Sequence, residues 1–324
     1  MILDRREKTL FVFLPSYLDG ESVRCIITDL DALLRRTYPK LAVKFIVIDE
    51  SLGLDVKLNA FCDYLNSSKL WKEKVIIRRP PFRSGNQGAI LWAINSMNWN
   101  KENANAYVAI LDSDGEDSPE DLPRLLNLLI QQDLDLVYAK RGKRYSNLPF
   151  MMGKFLYASL FRLLTGSKQD GGNFSVMKLS WLRDCLRFGN FSHSFVGELT
   201  HLAAKKGSLR CDRKPRWDGV SKTNFRGLIM FGIRQLIPWS EVIVVRSFVF
   251  FILSIFSAAS FSFFAFSSKF FFEVATPAWT TLVIGFSFVF AMLAFLLFMI
   301  AITVVVQLDS TKRIVRLIDS ESNK

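Results

Sequence analysis

Short apolar runs alternate with longer stretches of helical period over the first 140 residues. The runs are residues 10–14, 45–48, 75–77, 108–111 and 136–138. Runs this short and this apolar predict strands buried on both faces. Between them, residues 23–34, 87–97 and 122–129 repeat their apolar positions every three or four residues, the period of a helix with one buried face. Strands alternating with helices predict an α/β class with a mostly parallel sheet. Ligands of such sheets bind at the C-terminal ends of the strands.

The pattern changes toward the C-terminus. Residues 247–268 and 274–308 contain no charged side chain. Each run exceeds the roughly 20 residues that a helix needs to cross a bilayer. As buried core helices they would need more soluble partner than the chain supplies, so they predict two transmembrane helices. Sixteen of the 30 Phe lie from Phe248 to Phe298. Just before them, Phe225, Leu228, Ile229, Ile233 and Leu236 share one helical face. This predicts an amphipathic interfacial helix with Trp239 as its anchor. The expected organisation is an α/β domain over 1–224, an interfacial region over 225–245, a two-helix hairpin over 246–308 and a loosely ordered tail over 309–324. Residues 1–8 are charged and the next apolar run is short, so no signal peptide is expected. Arg234 and Arg246 precede the first span, and Lys312, Arg313 and Arg316 follow the second; the connection carries only Lys269 and Glu273. That asymmetry predicts that the α/β domain and both ends are cytosolic.

The formal net charge is +12, and it is unevenly spread. Residues 140–226 hold 18 Lys and Arg against 5 Asp and Glu, so they account for the whole positive excess. Such a stretch suits anionic lipid headgroups, phosphate ligands, or both. Membrane anchoring argues against nucleic acid as the partner. The four cysteines form no CxxC and the two histidines no zinc-ligand spacing, so reduced thiols and structural histidines are expected. Neither GxGxxG nor GxxxxGK[ST] occurs, which leaves no dinucleotide fingerprint and no P-loop.

Against this basic background, six carboxylates crowd the ten positions from Asp112 to Asp121, directly after an apolar strand. A helix beginning near Pro119 explains part of them. Asp117 or Ser118 would cap it, and Glu120 and Asp121 would suit its positive end. Asp112 and Asp114 lie before any helix. Spacing of two puts them on one side of an extended backbone. Two carboxylates so placed call for a cation, and their hard oxygens suit Mg²⁺ or Mn²⁺ completed by water and phosphate oxygens. An EF-hand loop is not present. The chemistry points to a metal-bound diphosphate with basic groups nearby to neutralise it as it leaves.

The sequence DSDGEDSPEDLP resembles the DxDxQDPPExxP signature of the membrane-bound, inverting glycosyltransferases of family 2, and in particular the polyprenyl-phosphate group that includes dolichol-phosphate mannose synthase and bacterial undecaprenyl-phosphate glucosyltransferases. Other segments fall in the same order: FVFLPSYLDGES resembles VVIPxYNEExN, FIVIDES resembles IVVDDGS, RSGNQGAILWAI resembles RNxGxxxAxxxG, QDGGNFSVM resembles DxGxFRL, and RWDGVSKTN resembles RxxGxSKY. The chain departs from the pattern at YLDGE, at VIDES, at NFSVM (which lacks the Arg) and in its tail.

The resemblance implies a nucleotide-diphospho-sugar transferase fold of the GT-A type. It also implies UDP- or GDP-linked sugar donors, a polyprenyl phosphate acceptor, Mg²⁺ or Mn²⁺ and a bacterial inner membrane. Pro15, Tyr17 and Asp49 would hold the nucleoside. Asp112 would contact nucleotide and metal, and Asp114 would ligate the metal. Asp117 would lie near sugar or acceptor, and Arg141 or Arg144 would meet a phosphate. Asp170 would order the site. Arg216, Ser221 and Lys222 would bind the acceptor phosphate or the diphosphate. Plainer roles stand beside these: Asp49 and Asp170 as turn residues, Lys222 as a headgroup contact.

A phosphate monoester is its own nucleophile near neutral pH, so such a transfer needs no general base; alignment and charge stabilisation suffice. A lipid hydroxyl acceptor would need one, with Asp117, Asp170 or Glu198 as candidates. A third reading is an inactive membrane scaffold, which would have no use for the Asp112–Asp114 pair. Self-association through the Phe-rich hairpin is open.

Overall fold

The computed structural model describes residues 8–99, 105–141, 148–167, 172–188, 191, 194–202, 205–217, 225–271 and 279–322. Its contacts divide the chain into two units, Met1–Lys154 with Gln169–Gln235, and Phe155–Lys168 with Leu236–Lys324.

The first unit is built on a seven-stranded sheet in the order β3-β2-β1-β4-β6-β5-β7. The strands are β1 (Thr9–Ser16), β2 (Ala42–Asp49), β3 (Val75–Arg78), β4 (Tyr107–Ile110), β5 (Leu136–Arg141), β6 (Ser175–Lys178) and β7 (Lys206–Cys211). β1 pairs in parallel with β2 and β4, β2 with β3, and β5 with β7. β6 runs antiparallel between β4 and β5. The five runs that predict strands all form strands. β6 and β7 lie beyond that pattern, which covers the first 140 residues; β7 also alternates polar and apolar positions.

Helices cover both faces. On one side Leu10, Val12 and Leu14 of β1 pack with α1 (Gly20–Thr37), α2 (Val56–Ser67) and α5 (Asp121–Gln131). On the other, Phe11 and Phe13 pack with α4 (Asn86–Asn95), α7 (Leu179–Phe188) and α8 (Phe195–Leu202). β1 is therefore buried on both faces, which is why its run lacks polar alternation. The remaining helices of this unit are the six-residue α3 (Lys69–Lys74), the first part of α6 (Leu148–Thr165), and α9 (Phe225–Leu236).

Two close approaches set the loops above the sheet. Asp55 accepts the Leu58 N–H at 3.0 Å as the cap of α2 and the Gly20 N–H at 2.9 Å at the start of α1. A Cβ at Gly20 would collide with the Leu58 backbone, so only Gly lets these helix starts meet.

One helix start differs from expectation. α5 begins at Asp121, and neither Asp117 nor Ser118 caps it: the Ser118 hydroxyl donates to the Glu120 carboxylate instead. Asp117 is drawn away by Arg213, whose Nε lies 3.6 Å from its Oδ1.

The second unit contains a helical hairpin of α10 (Ser240–Phe271) and α11 (Trp279–Ser322). Its helices pack through aromatic pairs, Phe248–Phe298 at 5.3 Å and Phe251–Phe295 at 5.4 Å between ring centroids. Both helices are long and apolar enough to cross a membrane. α11 runs on to Ser322, through the segment expected as the tail, because Gly and Pro, which break helices, are absent after Leu308.

Candidate active site

The acidic loop leaves the C-terminal end of β4, beside β1 in the middle of the sheet. The Ser113 hydroxyl donates to the Pro15 carbonyl at 2.7 Å, which ties the loop to the end of β1. Gly115 has φ +77°, a left-handed turn, and a Cβ there would come within 2.8 Å of the Trp217 ring.

Asp112 and Asp114 are held differently. Asp112 Oδ1 accepts the side-chain amides of Asn86, at the start of α4, and Asn173, before β6, each at 3.0 Å. Asp114 Oδ1 accepts the Glu116 N–H at 3.0 Å, and its Oδ2 takes Arg216 Nη2 at 2.8 Å. Burial, and then the neighbouring Asp112 charge, push the Asp114 carboxyl above the usual aspartate range; the Glu116 N–H and Arg216 oppose this.

The segment after β7 lies along this loop. The Lys214 N–H donates to the Glu116 carbonyl at 2.9 Å and the Trp217 N–H to the Asp114 carbonyl at 3.3 Å. Arg213 Nη1 pairs with Glu116, and Arg213 Nη2 lies 3.9 Å from Asp112. Arg216 Nε donates to Glu116 Oε1 at 2.9 Å. The carboxylates do not depend on a divalent cation to sit together, because two guanidiniums from the chain itself interleave with them. Glu116, Arg213, Asn86 and Asn173 were not singled out from sequence. Their signal was weak: each lies inside or beside a motif segment, but nothing local says that Asn86 and Asn173 converge on one carboxylate.

The other predicted residues are spread along the strand ends. Tyr17 carries the Arg83 guanidinium over its ring, 3.7 Å from the centroid. Asp49, at the end of β2 and opposite Ser16 in register, is buried. Its carboxylate accepts Ser51 N–H at 3.0 Å, the Ser51 hydroxyl, Gly53 N–H at 3.1 Å and Arg79 Nε at 2.9 Å. Asp49 thus shapes a turn and fixes Arg79, whose Nη2 also donates to Asn59 at 2.8 Å. Next to it, burial pushes the Glu50 carboxyl up against the pull of the Ser84 and Gly85 N–H groups. Glu198 is buried in α8. Arg141 ends β5 opposite Cys211. Its side chain, and Arg144, Asp170, Ser221 and Lys222, lie outside the described residues.

Among the described residues, no group of three or more Asp, Glu, His and Cys stands ready as a metal site. The donor set nevertheless fits a hard divalent ion: Asp112 and Asp114 supply carboxylate oxygens at one strand end, and a cation would offset both the burial of charge and the Asp112 repulsion that raise Asp114.

The model of the family described as glycosyl transferase family 2 matches residues 13–183. No curated protein matches the chain significantly by sequence. Among solved structures, glucosyl-3-phosphoglycerate synthase from Mycobacterium tuberculosis, crystallised with Mn²⁺, UDP and glucosyl-3-phosphoglycerate, is 15% identical with a TM-score of 0.46, over 74% of this chain and 80% of that one. TarS residues 1–349 from S. aureus, with UDP-GlcNAc, is 14% identical with a TM-score of 0.44, over 75% and 73%. Against a longer S. aureus TarS structure, 15% identical with a TM-score of 0.43 over 74% of this chain, the match spans only 39% of that chain. The family match takes in more than half of the chain, from β1 through the acidic loop to α7, and this chain belongs to glycosyl transferase family 2.

Proposed function

We propose that the chain is an inverting glycosyltransferase that moves a sugar from a nucleotide diphosphate to a polyprenyl phosphate at a membrane surface. One observation carries the reading: in a chain with two membrane-length apolar helices, the basic segment Arg213–Arg216 lies on the strand-end carboxylates. Carboxylates that hold a metal and arginines that meet phosphate are what a diphosphate leaving group and a phosphate nucleophile both need.

In this reading Asp112 and Asp114 hold Mg²⁺ or Mn²⁺, which supplies charge stabilisation to the donor diphosphate. Asn86 and Asn173 keep Asp112 aimed. Arg216 leaves Asp114 for a phosphate, while Glu116 keeps hold of it through Nε. Tyr17 and the end of β1 at Pro15 meet the nucleoside; Asp49 acts there through its turn and through Arg79. Arg141, Arg144, Ser221 and Lys222 add cations and a hydroxyl for the acceptor phosphate, and Asp170 helps order the site. The acceptor oxygen attacks the anomeric carbon as the bond to the diphosphate oxygen breaks on the opposite face. The nucleoside diphosphate leaves with the electron pair, and the configuration inverts. No proton has to be removed, and Asp117, paired with Arg213, serves position rather than base catalysis.

The test is turnover in nanodiscs with undecaprenyl phosphate, Mn²⁺ or Mg²⁺, and a panel of UDP- and GDP-sugars, with glycolipid assayed in the organic phase. Metal-dependent product that disappears in Asp114→Ala supports the reading and names the sugar. Metal-dependent nucleotide binding without product moves the acceptor to another lipid, with a hydroxyl and a general base. Absence of both binding and product leaves a scaffold.

A further inference from the structure

The part of α6 that belongs to the second unit, Phe155–Thr165, is turned the wrong way for water. Phe155, Leu156, Leu160 and Leu163 are 76%, 70%, 46% and 71% exposed. At 100° per residue, Leu156, Leu160 and Leu163 form one stripe, and Phe155 lies about 80° round from Leu163, beyond Ser159. Phe161 and Thr165 lie on the opposite side and are buried. A helix on a soluble surface puts its apolar stripe inward. Here a second apolar stripe faces out.

The depth of this helix along the hairpin is set at its C-terminal end. Gly166, with φ +76°, ends the helix, and its N–H donates to the Arg162 carbonyl at 2.8 Å. The Arg246 guanidinium donates to the Arg162 carbonyl at 3.3 Å and to the Leu163 carbonyl. It lies so close over Gly166 that a Cβ there would collide with it. A cation on the last carbonyls also suits the negative end of the helix. Arg246 is the residue before Ser247, where the charge-free run of α10 begins. Beside it, Phe161 packs edge-on to Trp239 with ring centroids 6.4 Å apart. The exposed stripe is thereby joined to the start of the apolar span, next to Phe248, Val249 and Phe250, which are themselves exposed.

We propose that Phe155–Thr165 lies in a lipid headgroup–acyl boundary, with Phe155, Leu156, Leu160 and Leu163 against the acyl chains. The proposal rests on α10 and α11 being membrane spans. An Arg and a Trp at the beginning of a span mark that boundary, and the hydrogen bonds from Arg246 hold the end of α6 at the same level. Arg162, exposed at the flank of the stripe, can reach the headgroups with its charged end while its stem stays apolar. A bilayer fits this stripe better than a protein partner because Arg246 ties the end of α6 to the start of α10, whose own exposed residues Phe248, Val249 and Phe250 are apolar. No partner-shaped groove is needed to cover it. α6 is then a second membrane contact in addition to the one expected at α9, an apolar helix too short to span a bilayer.

The experiment uses the full chain in nanodiscs whose lipids carry a photoactivatable group in the acyl chain. After irradiation and digestion, adducts are mapped by mass spectrometry. Adducts are expected within Phe155–Thr165 and in both spans. The double variant Leu156→Glu/Leu163→Glu should lose the α6 adducts and keep those in the spans, which also reports that it is folded and inserted. Span adducts with an unlabelled α6 overturn the proposal, and chain-to-chain crosslinks at α6 instead assign the stripe to a second copy. Adducts at neither place overturn the membrane reading itself.

Discussion

Arg216 donates one guanidinium nitrogen to Asp114, at 2.8 Å, and another to Glu116, at 2.9 Å. It is anchored in this way to two carboxylates at once. In the proposed reading, metal and arginine compete for Asp114, and Glu116 keeps the displaced arginine in reach.

Arg216→Met should tighten Mn²⁺ binding in the absence of nucleotide. A hydrogen bond between charged groups is worth about 1.5–3 kcal/mol, so an effect on the order of tenfold is expected. Electron paramagnetic resonance titration of free Mn²⁺ measures it. Turnover should fall in the same variant by about 10²-fold, because the arginine no longer meets the leaving phosphate. Unchanged Mn²⁺ affinity would show that Arg216 does not compete with the metal.

Asp114→Asn keeps shape and removes charge. Glycosyl transfer should drop by about 10²–10³-fold, the scale of losing one preorganised electrostatic contact. The melting temperature should stay within a few degrees, because the Glu116 N–H can still donate to an amide oxygen. A variant with wild-type turnover would remove Asp114 from the chemistry.

Gly115→Ala meets two obstacles, a φ of +77° and the Trp217 ring. The backbone conformation alone costs about 1–2 kcal/mol for an L side chain. Adding Trp217→Ala should recover the part of the loss due to collision and none of the part due to φ. Thermal unfolding of the two single variants and the double variant separates the two contributions. Additive losses would mean that the ring and the loop do not press on each other.

Thiol reactivity follows burial. Burial first, then neighbouring acidic charge, pushes Cys185 and Cys211 up to about 12. A raised thiol pKa means less thiolate at a given pH, and at pH 8 a group near 12 is only about one ten-thousandth ionised. Iodoacetamide at pH 8 should therefore spare Cys185 and Cys211 in the native chain and modify them after denaturation. Cys62, raised by burial but only partly covered, should react more slowly than Cys25. Peptide mass spectrometry over a time course reads the order, and rapid native modification of Cys211 would contradict the packing of β7 against α5.

Local pattern carried much of this protein. Unbroken apolar runs mark β1, β2 and β4, and a period of 3.6 marks α1 and α5, since burial on two faces or on one leaves a different imprint on neighbouring residues. Freedom from charge marks the membrane-length apolar stretches of α10 and α11. The acidic loop after β4 is likewise visible because six carboxylates in a basic chain are a local fact.

What tertiary structure alone decided concerns groups far apart along the chain. Asn86 and Asn173 meet on Asp112 from 26 and 61 residues away. Arg213 and Arg216 reach the carboxylates from about 100 positions on, because β7 pairs with β5 at the sheet edge and releases the chain toward the β4 loop. β6 sits between β4 and β5 although it follows both in sequence. α6 carries apolar residues on two sides, and only the burial of Phe161 decides which of them is left outside. In each case the sequence states which groups are present, while their neutralisation, aim or exposure depends on partners that strand order and loop closure bring together.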